Sequence, residues 1–458
     1  MRKSRLSNRL LRKALVEEIA ARVRASFLDG RLGYFRQRFS LVEHSPAVEE
    51  GVGFGGRLGP SHFTAFLDKV PWSATEAQGL RGSALLGKPI ERSAIEGSSS
   101  WLKEVAEASR GGKFLLGARG WVELGYSDPP PGCLGVSKTV LPRDIILSKV
   151  ASRTVSMSGQ RARVAWNRDP LTGYEWPSDA PSGRIVLAPA PGVDVRAGWE
   201  VARLIHLPGA ALGSVVLSNS SGASDDVSGN PHTSDGARKF VELLEDFLEA
   251  NPPGWGIHWV SGMEVAIRMA NVALAFALFD SLDAGFDDSD RTLIARFLVE
   301  HLAFSRAHPD KRRVLVHNHY LVQLAGEALG ASLLVGLDGD LGLWADSQLS
   351  RISRALIDQV LAQFNDDGAN FEGSVGYHAF ALQAATFGLA AVHRQAYSSI
   401  GRGASEPWPS FWARIRWDLY VTRQRLARAA TFLDAVIGTD GSLMKVGDHD
   451  DSRFVALE

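Results

Sequence analysis

Apolar residues recur at helical spacing through most of the second half of the chain. Over 238–249, Phe240, Leu243, Leu244, Phe247 and Leu248 share one helical face. The same period returns over 260–282, 290–307, 319–336, 343–364, 377–399 and 409–437. Long helices joined by short connections pack as antiparallel hairpins. The pattern therefore predicts a mainly α fold with a few short strands. A series of hairpins around a central cleft would be an α/α toroid, here an incomplete ring. No fixed-period repeat is present, so a solenoid is not indicated.

The flanks read differently. Leu6, Leu10, Leu11, Leu15 and Ile19 give the basic start, 1–30, an amphipathic pattern. Glu17, Glu18 and Arg22 interrupt the apolar run that a signal peptide needs. The segment reads as a helix on the protein body or on a membrane surface. The compartment is cytoplasmic by default, or periplasmic if translation begins elsewhere. Residues 31–131 are rich in Gly, Ser and Pro, and Pro129-Pro130-Pro131-Gly132 suggests a boundary. Apolar pieces at 144–149 and 154–157 suggest a small hairpin, and 166–177 is an aromatic, polar loop. Trp199, Arg203 and His206 are placed on one helical face, the Arg and His paired to carboxylates. Past 438, residues 446–455 read as strand, acidic turn, strand. The resulting organisation is an irregular extension over 1–135, a helical domain over 136–440, and the opening of a sheet domain over 441–458.

Composition narrows the function. Hydrophobic residues make up 45% and charged residues 22% of 458, which suits a globular core. With 50 basic and 51 acidic residues the net charge is -1, so no overall field draws in nucleic acid or an anionic membrane. No stretch approaches the ~20 apolar residues that a membrane span needs. Cys133 is the one cysteine, which excludes an internal disulfide and a multi-cysteine metal site. Twelve tryptophans offer core mass, or platforms for sugar rings.

Candidate chemistry gathers in three places. In 365–378, Asp367-Gly368 is a turn signal, and Ser374 suits the N-cap of a helix with Tyr377 and His378 in its first turn. A phenol beside an imidazole can move protons; the alternative is a capping loop with a buried Tyr and a surface His. In His317-Asn318-His319-Tyr320, Asn318 and His319 stand at a helix N-terminus, where free N–H groups favour an anion. Asn318 is otherwise a plain N-cap. As a metal site the triplet lacks a third ligand, and no cofactor is read in the chain. The third place is Trp259, Glu264 and Arg268. Glu264 and Arg268 form either an ordinary helix ion pair or, with Trp259, part of a carboxylate-binding cleft. Together these groups suit proton abstraction α to a uronate carboxylate. Asn318 and His319 would neutralise that carboxylate, and Tyr377 would take or give the proton.

In order, 166–177, 194–206, 251–268, 318–321, 367–378 and 447–453 carry motifs that resemble the heparinase II/III-like polysaccharide lyases. They include Asn251-Pro252, Gly256-Ile257-His258-Trp259, Asn318-His319-Tyr320-Leu321, Asp367-Gly368 with Glu372 and Tyr377-His378, and Gly447-Asp448. The resemblance runs from about Trp166 to Phe454. It implies an α/α toroid followed by an antiparallel β-sandwich, with acidic polysaccharide cleaved by β-elimination between them. It implies Asn318, His319, Tyr377 and His378 as catalytic residues, and Trp259, Glu264, Arg268, Tyr320 and Glu372 as substrate-binding ones. In related lyases the sheet domain adds a catalytic histidine and, in some members, metal ligands. The resemblance stops before that domain, so little lyase activity is expected of this chain alone. Two alternatives are a non-catalytic glycan-binding or biosynthesis protein, and a toroid-fold glycoside hydrolase using Glu264, Asp367 and Glu372.

Overall fold

Two layers of helix set the architecture. The computed structural model describes residues 70–86, 100–116, 120–124, 164–220, 231–311, 317–398, 411–438, 442–448 and 452–456. Expectations for 1–30, for the boundary at 129–132, for Cys133 and for the hairpin pieces at 144–149 and 154–157 lie outside these residues.

After two one-turn helices, Ala74–Ala77 and Ser83–Leu86, come α1 (Ser100–Arg110) and the antiparallel pair β1 (Lys113–Leu115) and β2 (Trp121–Glu123). The remaining helices are α2 (Val195–Ala202), α3 (Leu207–Ser220), α4 (Pro231–Ala250), α5 (Gly262–Ser281), α6 (Asp288–Ala307), α7 (Asn318–Leu334), α8 (Gly339–Gln363), α9 (Val375–Ser398) and α10 (Phe411–Ala435). Helices α3, α5, α7 and α9 pack on one another in series and form an inner layer. Each also packs on the helix that follows it, which puts α4, α6, α8 and α10 outside. The fold is therefore mainly α, an arc of antiparallel hairpins of the α/α-toroid type.

The inner layer explains why its helices show little sidedness in sequence. From Gly262 to Phe279 every residue of α5 is buried, and α7 is buried from Tyr320 to Leu334. A helix covered all round carries no polar stripe. Among the described residues, Gly262–Ser281 and Val375–Ser398 are long and apolar enough to cross a membrane by length and composition. This corrects the sequence reading, in which no stretch approaches a membrane span. In the fold, all of the apolar window in the first helix and 67% of that in the second are buried inside the protein.

Close approach of inner helices depends on glycine. A Cβ at Gly326 of α7 would lie 2.3 Å from the Ala266 carbonyl oxygen of α5, too near for any contact. Gly326→Ala is expected to cost about 1–3 kcal/mol through forced separation of the two helices. Chemical denaturation checks this, and an unchanged midpoint would show that the helices can part freely.

The aromatic loop 166–177 and the segment around 113–124 share the core. Trp166 meets Phe114 edge-on at 5.4 Å, and its Nε1 donates to Asp246 Oδ2 at 2.8 Å. Helix α2 ends at Ala202, and Leu204 follows in the left-handed region at φ 56°. His206 is thus not on the helix with Trp199. It lies buried against Phe114 and Trp121, with no carboxylate on its Nδ1, unlike the predicted ion pair. Arg203 does have its carboxylate, Glu264.

The tail also departs from expectation. Instead of a strand pair over 446–455, the described residues past 435 hold only an isolated bridge between Ile437 and Leu443. Phe454, Val455 and Ala456 are buried in the helical core, while Val446 is exposed. Asn271 Nδ2 of α5 donates to the Phe454 carbonyl at 2.8 Å. Gln383 of α9 accepts from Phe454 N–H at 2.9 Å and donates to the Val455 carbonyl at 3.0 Å.

Candidate functional site

The loop between α8 and α9 positions the site. Phe364 and Asn370 form an isolated antiparallel bridge, and Asn365 N–H donates to the Ala369 carbonyl at 2.8 Å. Asp367 Oδ1 accepts from Ala369 N–H at 3.0 Å, and Gly368 turns the chain at φ 97°, as the Asp-Gly signal predicts. Arg425 of α10 binds the Phe364 carbonyl and the Asp366 carboxylate, fixing the loop from outside. Ser374 Oγ accepts from Tyr377 N–H at 3.1 Å and so caps α9. The same hydroxyl donates to the Asp448 carbonyl, and Val375 N–H donates to the Val446 carbonyl at 3.1 Å. The tail thus lies across the start of α9.

This loop docks on the N-terminus of α7. His317 is the N-cap, so Asn318 is the first helical residue rather than the cap. Its backbone N–H is one of the groups a helix leaves unpaired. Here that N–H donates to Glu372 Oε1 at 2.8 Å, and Asn318 Nδ2 donates to Glu372 Oε2 at 2.7 Å. Both oxygens of one carboxylate are therefore held by one residue at the positive end of a helix. His317 Nδ1 lies 3.8 Å from Oε1, and Gln363 Nε2 donates to the His317 carbonyl at 3.0 Å. Burial pushes the Glu372 carboxyl up, and the two Asn318 bonds and the nearby His319 act against it. Asn370 Oδ1 receives the Glu372 N–H at 2.9 Å. Its Nδ2 is buried with no hydrogen-bond partner among the described residues.

Of the residues expected from sequence, the structure brings Asn318, His319 and Glu372 together. Tyr377 is half-buried in the first turn of α9, five residues on from Glu372. His378 is not with them. Its Nδ1 accepts from Asn370 N–H at 3.3 Å, so the proton sits on Nε2, which donates to the Ala429 carbonyl at 2.9 Å. Phe364 and Phe432 enclose the ring, and burial holds its pKa below the usual value. It is a neutral packing group that ties the loop to α10.

Trp259, Glu264 and Arg268 are core residues rather than the walls of a cleft. Arg268 is 1% exposed. Its Nε donates to His301 Nε2 at 2.9 Å, and its Nη2 donates to the His258 carbonyl at 3.0 Å. The guanidinium lies 4.4 Å from the Phe247 ring centre and 5.4 Å from that of Trp259. Trp259 Nε1 donates to the Asn251 carbonyl at 3.0 Å. Glu264 pairs with Arg203 through two bonds of 2.7 Å, not with Arg268. Tyr320 is buried with Lys311 Nζ 5.7 Å from its ring centre, and burial followed by Glu327 pushes its phenol up. For the hydrolase alternative, Glu264 is thus neutralised in the core, and Asp367 sits in an exposed turn.

Sequence reasoning missed His317 and Gln363. The His317-Asn318-His319 triplet was the available signal, but it reads with Asn318 as the cap, one residue beyond the true cap His317. Among the described residues no group of three His, Cys, Asp or Glu side chains has the geometry to hold a metal ion.

No family model matches the chain, and no curated protein matches it. Among solved structures, a heparinase III with methylated lysines aligns with a TM-score of 0.31 and 13% identity. The alignment covers 59% of this chain and 38% of that one. At that level the α/α assignment rests on the helix packing itself.

Proposed function

We propose that the protein recognises uronate-bearing acidic polysaccharide at the N-terminus of α7 and cleaves it by β-elimination. The observation that carries this reading is the two-point grip of Asn318 on a carboxylate, 2.8 and 2.7 Å, at a helix N-terminus flanked by imidazoles. A uronate presents the same pair of oxygens as Glu372. Held there in place of Glu372, which occupies both Asn318 donors, its negative charge is neutralised and the proton on the adjacent ring carbon becomes more acidic. The Tyr377 phenol acts on that proton or on the leaving oxygen. One C–H and one C–O bond break, a C=C bond forms, and the glycosidic oxygen leaves with a proton. A second reading, glycan binding without turnover, is favoured by His378, whose locked ring cannot assist Tyr377.

The test is incubation with polygalacturonate, alginate, hyaluronan and heparan sulfate, following the ultraviolet absorbance of unsaturated uronate. Asn318→Ala is expected to slow turnover by about 10²–10³-fold, the loss typical of one oxyanion donor. Tyr377→Phe is expected to abolish turnover while binding persists. Near-normal rates in Tyr377→Phe would remove the phenol from the mechanism. Binding by the unaltered chain with no product would leave the second reading.

A further inference from the structure

The far end of α9 and the outer face of α10 carry an aromatic and basic surface that the candidate site does not use. Trp417 is 69% exposed and Tyr420 is 55% exposed. Their ring centres are 5.6 Å apart with planes within 27°, so the two rings stack on each other as an exposed aromatic pair on α10. Beside it on α9, Tyr397 is 44% exposed and stacks on His393 at 4.2 Å. Arg416 lies 5.3 Å over the Tyr397 ring, held by two bonds of 3.2 and 3.1 Å to the Ala396 carbonyl. Its guanidinium has further donors to offer. Arg423 is near enough for its charge, after burial, to hold the His393 imidazole below its usual pKa. Asp418 is the acid in this stretch, and it is engaged by Arg354 at 2.7 Å.

Exposed aromatic rings in a monomer are costly unless used. Aromatic faces pack against the apolar faces of sugar rings, and guanidinium forks match carboxylate or sulfate oxygens. We infer that Trp417, Tyr420, Tyr397, His393, Arg416 and Arg423 form a second, non-catalytic binding surface for an acidic polysaccharide chain. The choice of ligand class rests on the carboxylate seat at Asn318. Tyr377 and Tyr397 stand at opposite ends of α9, which separates the two places by about 30 Å at 1.5 Å per residue. One polymer must therefore be long to reach both, and short oligosaccharides reach only one. Gln424 and Arg428 continue the exposed face of α10 without an aliphatic side chain to enter a bilayer.

The experiment compares the full chain with a Trp417→Ala/Tyr420→Ala double variant and with Asn318→Ala. Affinity electrophoresis would use gels containing polygalacturonate or heparan sulfate. Parallel samples would contain a single-stranded oligothymidylate, or vesicles of phosphatidylserine and phosphatidylcholine. Both substituted aromatics are exposed, so thermal melting should be unchanged and will confirm folding. The expected result is at least a tenfold loss of affinity for the polysaccharide in the double variant. Cleavage of a short uronate oligosaccharide, where the chain shows it, should be unaltered. Loss of polymer affinity without any unsaturated product would keep this surface and overturn the lyase reading. Loss only in Asn318→Ala would do the reverse. Unchanged affinity in the double variant, no polysaccharide binding at all, or preference for the oligonucleotide or vesicles would overturn the inferred surface.

Discussion

Glu264→Ala is expected to destabilise the protein by at least about 3–5 kcal/mol, the cost of breaking a buried ion pair from one side. Both Glu264 oxygens accept from Arg203, through Nε and Nη2, at 2.7 Å, and the two side chains are 6% and 3% exposed. Removing the carboxylate leaves that guanidinium buried without its partner. The damage extends further, because Glu264 is also the charge that favours protonated Arg268. Burial already lowers the Arg268 pKa to about 9 against that support. Arg203 and Arg268 would then be two buried cations that had both lost the Glu264 charge. Glu264→Gln keeps the shape without the charge and should fall between the two. Replacing both partners, as Arg203→Leu with Glu264→Leu, should cost less than Glu264→Ala, because no buried charge is orphaned. Equilibrium denaturation reads all three. A loss below about 1 kcal/mol in Glu264→Ala would mean that water reaches Arg203.

Acid should unfold the protein well above the range in which carboxylates titrate. His206 and His258 are fully buried, and burial lowers each pKa from 6.5 to about 3. His301 is held well below 6.5 by burial and by the adjacent Arg268. Between the unfolded value and about 3, the unfolded chain binds protons that the folded chain refuses. Stability therefore rises with pH in this window and is lost as pH falls through it. At pH 5 His206 and His258 each cost about 2 kcal/mol, from 1.36 kcal/mol per unit. Glu327 and Glu372, pushed up by burial, act in the opposite direction. Asp358 is pushed up likewise, while His378 and His393 are held down, so five histidines outweigh three carboxylates and Tm should fall from pH 7 to 5. His206 has no partner on Nδ1 among the described residues, so His206→Leu removes one titration without breaking a bond seen there. It should flatten the slope by up to about 1.4 kcal/mol per pH unit. An identical slope in that variant would show that His206 titrates alike in the folded and unfolded chain.

What was legible in the sequence was local. The period over 260–282 found α5, and the 238–249 pattern found the end of α4, although that helix begins earlier, at Pro231. Ser374 and Gly368 were readable because caps and left-handed turns are chosen by one or two neighbouring residues. The partners of charged groups were not. Helical spacing couples Glu264 to Arg268, but the carboxylate turns to Arg203, 61 residues earlier. An aromatic-rich segment with Arg and His reads alike whether it lines a cleft or fills a core, and only packing separated Trp259 and Arg268 from substrate. Glu372 was named as a binder, yet periodicity carries no trace of the 54-residue reach that sets it on Asn318. The strand reading of 446–455 failed because Phe454 and Val455 are spent on covering helices, with Gln383 and Asn271 meeting the backbone groups a sheet would have used.

The path of that tail has a kinetic consequence. Phe454 joins α5 and α9, and Ala456 N–H donates to the Ile205 carbonyl at 3.1 Å, just ahead of α3. These contacts span 183, 71 and 251 positions of the sequence. Each helical hairpin can form from neighbours as it leaves the ribosome, but the clasp across three inner helices comes last. Closing loops of that length is slow relative to helix pairing, and the entropy is lost before the contact returns it. During synthesis the hairpins thus stand assembled yet unfastened, with the seat of Phe454 open to water. The arc gains this clasp only when Phe454, Val455 and Ala456 arrive, described residues that belong to no helix or strand.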